Sequence, residues 1–197
     1  MWDDPVRSEL AYNVERQRQR RQVREAEGYL ALIAPPTRWG TLDPTIRDRL
    51  ARRVLERLAG LSELPGEGGQ VDYLRGRAYC AMQLYPAAIS YLEVAADQVP
   101  PHVQACISLG RCYKRLHRMD LAISALETVI GADSHQGIVL YNLACYWSLS
   151  NRPEQAVHYL AKAIDIRPSY RQAIVDEEDF EPIRQHPAFI SLMTVVI

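Results

Sequence analysis

The sequence predicts an all-helical chain of the α-solenoid kind, built from helix–turn–helix repeats, and three observations predict it. Three segments, beginning at Gly69, Val103 and Gly137, align at a spacing of 34 residues without a gap. In the first half of each, a small residue (Gly76, Gly110, Ala144) stands three positions before an aromatic one (Tyr79, Tyr113, Trp147). In the second half of each runs an apolar stripe: Ala88, Leu92 and Ala95; Ala122, Leu126 and Val129; Ala156, Leu160 and Ala163. Positions i, i+4 and i+7 share one helix face. The small residue lets the partner helix approach closely. One such hairpin cannot cover both of its apolar faces, so neighbouring hairpins must stack.

The elements follow in order. Residues 1–64 form an N-terminal helical region. Val6, Leu10 and Val14 make one stripe of a helix over 5–33, and Ala26, Tyr29, Leu30 and Ile33 make another. Between them, residues 16–22 hold only arginine and glutamine. A core-facing helix rarely runs two turns without an apolar residue, so this stretch is expected to face solvent or something outside the chain. Asp43 and Pro44 are an N-cap and first-turn pair for a second helix, with Ile46, Leu50, Val54 and Leu58 inward and Gly60 near its end. Pro65, Gly66, Glu67 and Gly68 read as a turn. The 34-residue phase, extended backwards, would make this second helix straddle an inter-helix turn, so it is expected to pack as an N-terminal cap. The repeats span 69–168, as units 69–102, 103–136 and 137–170, closing near Pro100, Ser134 and Pro168. Residues 171–197 form a helical cap. Its acidic turn at 176–181 leads into a short helix, and Pro187 opens a last one. Phe180, Ile183, Phe189 and Leu192 are expected to pack inward.

The period and its residues resemble the tetratricopeptide repeat, whose pattern is W-x₂-L-G-x₂-Y, then A-x₃-F, then P. The middle repeat matches best, with Leu109, Gly110, Tyr113, Ala122 and Leu126. The first departs most, with Asp72 and Arg75 at the tryptophan and leucine places. The ending D-F-x-P-I-R-x-x-P-x-F resembles that of bacterial tetratricopeptide proteins. In this family the first helix of each repeat lines a concave groove. The resemblance therefore implies a peptide-binding groove holding Tyr73, Arg77, Gln104, Ile107, Arg111, Lys114, Arg115, Tyr141 and Asn142. It implies a scaffold or adaptor, with no catalytic residue, cofactor or metal.

That set places an aromatic strip beside a basic one. Arginine forks grip carboxylates in pairs and tyrosine offers rigid contact area, so an acidic or C-terminal peptide segment suits it. A relative of the fold, found in chaperone co-factors, clamps a terminal carboxylate. At the matching places stand Tyr73, Arg77, Ser108, Ile138 and Asn142, of which only Arg77 and Asn142 approach that chemistry. The bland alternative for each arginine is a solvated side chain, or one paired with Asp72, Glu93 or Glu127.

Composition narrows the alternatives. The formal net charge is −1, with 23 Lys+Arg against 24 Asp+Glu, so the chain as a whole is no electrostatic glove for nucleic acid. Residues 1–33 hold six arginines and six acids, and no aromatic interleaves with the arginine run to stack bases. Nucleic acid is therefore disfavoured as a partner. No signal-peptide pattern opens the chain and no apolar run is long enough to insert in a membrane, which leads to an expectation of a cytoplasmic protein. Cys80, Cys106, Cys112 and Cys145 lack the close pairing of a zinc site. The acidic cluster lacks the alternation and central glycine of a calcium loop. Three rival functions stand beside the groove: self-association through the arginine-rich helix or the apolar C-terminus, an unrecognised hydrolase or an accessory subunit of one, against which the missing motifs speak, and a chaperone-like hold on a secretion or complex subunit.

Overall fold

A computed structural model describes residues 5–33, 42–62 and 69–194. The Val6 side chain and the turn at 65–68 lie outside the described residues. The chain is all-helical there, in the fold class read from the sequence. Its helices are α1 (Pro5–Ile33), α2 (Pro44–Leu58), α3 (Gln70–Ala81), α4 (Tyr85–Ala96), α5 (Val103–Arg115), α6 (Met119–Ala132), α7 (Gly137–Leu149), α8 (Pro153–Ile166), α9 (Tyr170–Val175) and α10 (Pro187–Thr194). A 3₁₀ helix, Glu178–Ile183, joins the last two. No described helix is long and apolar enough to cross a membrane. Two compact units divide the chain, Met1–Ala105 and Cys106–Ile197.

The three helix–turn–helix hairpins share one turn. Gln83, His117 and Asn151, each 34 residues from the next, adopt φ of 61°, 57° and 55°. At each turn two backbone N–H groups close the same bonds: Gln83 to Cys80 and Leu84 to Tyr79, His117 to Lys114 and Arg118 to Tyr113, Asn151 to Ser148 and Arg152 to Trp147. The left-handed residue at the end of the first helix lets its last carbonyls be satisfied while the chain reverses.

In the first unit, α1 and α2 form a hairpin that packs on α3. Val23, Ala26, Leu30, Ala51, Val54 and Leu58 are its buried residues, continuous with Val71, Leu74 and Ala78. Asp43 caps α2 as expected, accepting from the backbone N–H of Thr45 at 2.8 Å and Ile46 at 3.3 Å. The expected stripe on α2 needs one correction. Ile46 is 47% exposed and Ala51 takes an inward place. A strict spacing of four drifts about 40° per step on a helix of 3.6 residues per turn, so the face that holds Leu58 has lost Ile46. In α1 no described residue from 9 to 22 is buried. Leu10, Tyr12 and Val14 are about three-fifths exposed, at 60%, 58% and 60%.

The departure of the first repeat from the family pattern has its cause here. Arg75, at a leucine place, donates to the carbonyls of Leu58 at 3.0 Å and Leu61 at 2.6 Å. It is also paired with Asp72, at the tryptophan place, at 2.7 Å. Leu58 ends α2, and this guanidinium ties the chain leaving that helix to α3 through the two carbonyls. A leucine could not.

In the second unit, Ala122, Leu126, Val129, Ala144, Leu160 and Ala163 are all buried. A Cβ on Gly110 would lie 3.3 Å from the Ala122 carbonyl oxygen, and one on Gly76 in the first unit would lie 3.3 Å from that of Ala88. At both small positions the second helix thus stands within contact range, and the nearest atoms are side chains, Leu92 at Gly76 and Tyr146 at Gly110. Of the residues expected to anchor the cap, Phe180, Ile183 and Phe189 are buried, while Leu192 is half-buried.

Candidate functional site

Of the nine residues named for the groove, Tyr73, Arg77 and Gln104 belong to the first unit and the other six to the second. Each unit presents its own set.

On the first unit, Tyr73 is half-buried. Its ring lies 4.8 Å from that of His102, tilted by 38°, and the Arg77 guanidinium sits 5.7 Å from its centroid. A cation at this range is attracted by the ring face. Among the described residues Arg77 is in no ion pair. Below this cluster runs a polar chain. The Ala105 N–H donates to His102 Nδ1 at 3.2 Å, so Nε2 carries the proton and donates to Gln70 Oε1 at 3.2 Å. The Gln70 amide then donates to the Glu27 carboxylate of α1 at 2.8 Å. His102 thereby caps α5 and holds the Tyr73 ring in place. Neither Gln70 nor His102 shows a pattern that would have announced this. Gln104 is exposed.

On the second unit the set divides. Arg111 and Arg115 are exposed and, among the described residues, unpaired. Ile107 is buried, 9% exposed, and acts as a core residue. Asn142 turns its amide onto the Ile138 carbonyl at 2.7 Å. Tyr141 and Lys114 are taken by the chain's own cap. Tyr141 is stacked 4.8 Å from Tyr170 and meets Phe180 edge-on at 5.8 Å. The carboxylates of Glu177 and Asp179 act on its hydroxyl from nearby. Lys114 is paired with Asp179. The acidic turn, expected only to favour a helix start, thus reaches across to α5 and α7. Glu177 also does the expected part, accepting from the Asp179 N–H at 3.4 Å. Arg184 fixes the turn from behind, bound to Glu181 at 2.6 Å and to the carbonyls of Glu177 and Val175.

Beneath the turn lies Cys145, with its sulfur and the carboxylates of Glu177 and Asp179 within 4.8 Å of one another. Burial, and then the two carboxylates, push its thiol well above the usual range. Tyr141 is pushed up in the same way, burial first. Both therefore stay protonated beside the acids, while Lys114 supplies the compensating charge. This Cys145 is a structural thiol, unsuited to nucleophilic work.

The comparisons agree with this architecture. A family model described as "Tetratricopeptide repeat" matches residues 103–136 and 139–170. Over 75 residues the chain is 33% identical to Protein PHOX1 of Arabidopsis thaliana, covering 36% of this chain and 10% of that one. Among solved structures, YrrB, described as a TPR protein with an unusual peptide-binding site, is 22% identical with a TM-score of 0.54. That match covers 67% of this chain and 64% of YrrB, under two thirds of the latter. MamA from AMB-1 is 17% identical over 88% of this chain and 86% of its own, TM-score 0.58. MamA from Desulfovibrio magneticus RS-1 is 19% identical over 86% and 93%, TM-score 0.52. At these identities the structural likeness is one of fold.

Proposed function

We propose that this chain, which carries tetratricopeptide repeats over residues 103–136 and 139–170, holds an acidic protein or peptide segment on the first helices of its repeats and does no chemistry of its own. A tetratricopeptide fold supports protein–protein interaction in general, since stacked hairpins present extended binding surfaces. The observation that carries the finer reading is the state of the arginines. Arg75 is consumed by Asp72 and two carbonyls. Arg77, Arg111 and Arg115 are in no ion pair among the described residues. Guanidinium groups without a carboxylate, one of them set beside a tyrosine ring, are ready for charge-assisted hydrogen bonds from a partner.

The test is capture of partners by the full chain, with Arg77→Glu and an Arg111→Glu, Arg115→Glu pair compared with wild type. Each variant must keep the helical circular dichroism of wild type. A partner lost from Arg77→Glu locates the contact on the first unit, and one lost from the pair locates it on α5. Recovery unchanged by both removes the arginine faces from the function.

A second reading, self-association, is favoured by one observation, the exposed Leu10, Tyr12 and Val14 of α1. Leu10 and Val14 share a face at i, i+4. If that face joins copies, the mass measured by light scattering rises with concentration in wild type and stays monomeric in Leu10→Asp, Val14→Asp. A monomer at every concentration for both ends this reading.

A further inference from the structure

The cap shows what one inner tyrosine of this chain accepts, and the repeat symmetry carries that chemistry to another. Tyr73 and Tyr141 occupy the same place two repeats apart, as do His102 and Tyr170. The contact is conserved between them, with ring centroids 4.8 Å apart in both pairs. In the second unit the tyrosine is then completed by a short stretch of the chain's own cap. Phe180 meets its ring edge-on at 5.8 Å, a favoured aromatic geometry. Glu177 brings a carboxylate near its hydroxyl, and Asp179 meets the cation Lys114. A Glu-x-Asp-Phe segment is therefore read by a ring and a cation.

In the first unit, the ring partner and a cation are present without that segment. Tyr73 has His102 on it and Arg77 beside it, and among the described residues no second aromatic ring reaches it. The cation comes from the tyrosine's own helix, one turn on, where in the second unit Lys114 of α5 serves a tyrosine of α7. Charge and shape ask for the same kind of occupant: a carboxylate for Arg77 and an aromatic edge for Tyr73. We infer that the Tyr73–Arg77 face takes an acidic–aromatic segment of a partner protein, a carboxylate placed within a few residues before a phenylalanine or tyrosine. This rests on the binding reading given above and narrows it from acidic to acidic–aromatic.

The probe is a fluorescent peptide with the sequence of residues 174–185, titrated with the full chain and followed by anisotropy. The expected result is saturable binding. It weakens at least tenfold when the peptide's phenylalanine becomes alanine, or when the aspartate before it becomes asparagine. It weakens equally in Tyr73→Ala, Arg77→Glu and Arg77→Gln proteins, the last removing the charge without reversing it should the reversal disturb folding. Binding that survives loss of the phenylalanine overturns this inference and leaves the broader acidic-segment reading standing. Binding unchanged in all three protein variants also overturns it, since the peptide would then have exchanged with the cap of the second unit. No saturable binding to wild type overturns it outright, while the broader reading is decided separately by the capture experiment.

Discussion

Replacing Phe180 with alanine is expected to cost about 3–5 kcal/mol, the range for emptying a fully buried aromatic site. Phe180 is 0% exposed and stands between the rings of Tyr141 and Phe189, both 5.8 Å away. Its loss removes the contact that presses the acidic turn onto α7. The predicted consequence goes beyond a lower melting temperature. Cys145 is 2% exposed under this turn, and in wild type its thiol should be inert to a disulfide reagent. In Phe180→Ala its labelling rate, followed by mass spectrometry, should rise by more than tenfold as the cap opens locally. Labelling of Cys106 in the same molecules distinguishes the two ways this could happen. If Cys106 accelerates in step, the unit unfolds as a whole. If Cys145 stays at the wild-type rate while stability falls, the cap does not depend on Phe180 in the way argued.

The second large effect is expected at Gly76. A Cβ there would sit 2.5 Å from Leu92 Cγ and 2.6 Å from its Cδ2, well inside contact distance, and Leu92 is fully buried. Gly76→Val should therefore destabilise by about 3 kcal/mol through overpacking, measured by denaturant unfolding. A β-branched side chain also gains little in helix propensity over glycine to offset it. Coupling to Leu92 gives the sharper check. Leu92→Ala alone should cost about 2–5 kcal/mol, and the double variant should cost less than the two singles together, because the new side chain fills the space the leucine left. Strict additivity would mean that the two sites do not compete for one volume. Gly28 provides the contrast, since a Cβ there meets nothing within 4 Å. Gly28→Ala should stabilise by up to about 1 kcal/mol through helix propensity alone.

Much of the repeat architecture was legible because it is periodic. Gly76 and Gly110 announced close helix approach, and Ala88, Leu92 and Ala95 announced one buried face. Three copies at one spacing made a pattern that no single hairpin carries. The turns followed the same phase, although Gln83 and His117 are not residues that advertise a left-handed conformation. The cap's aromatic anchors were legible too, since Phe180 sits in an otherwise acidic turn and Phe189 in the apolar run of the last helix. Legibility ended where a side chain's role depends on what a distant segment brings to it. Arg75 looked like a flaw in the first repeat until the carbonyls of Leu58 and Leu61 were placed against it. Lys114 and Tyr141 looked like open groove positions, and the cap fills them. Arg77 and Arg111, at equivalent places, meet different surroundings, one beside a tyrosine ring and the other exposed.

By itself, then, the sequence determined the helical class, the 34-residue repeat and the small and apolar residues on which the repeats pack. These depend on local periodicity and on side-chain size, both written in consecutive residues. Only the tertiary structure decided which cations are free and which are spent. That depends on ion pairs and ring contacts between segments such as Lys114 and Asp179, 65 positions apart. Charge recognises distance in space, and sequence spacing does not report it.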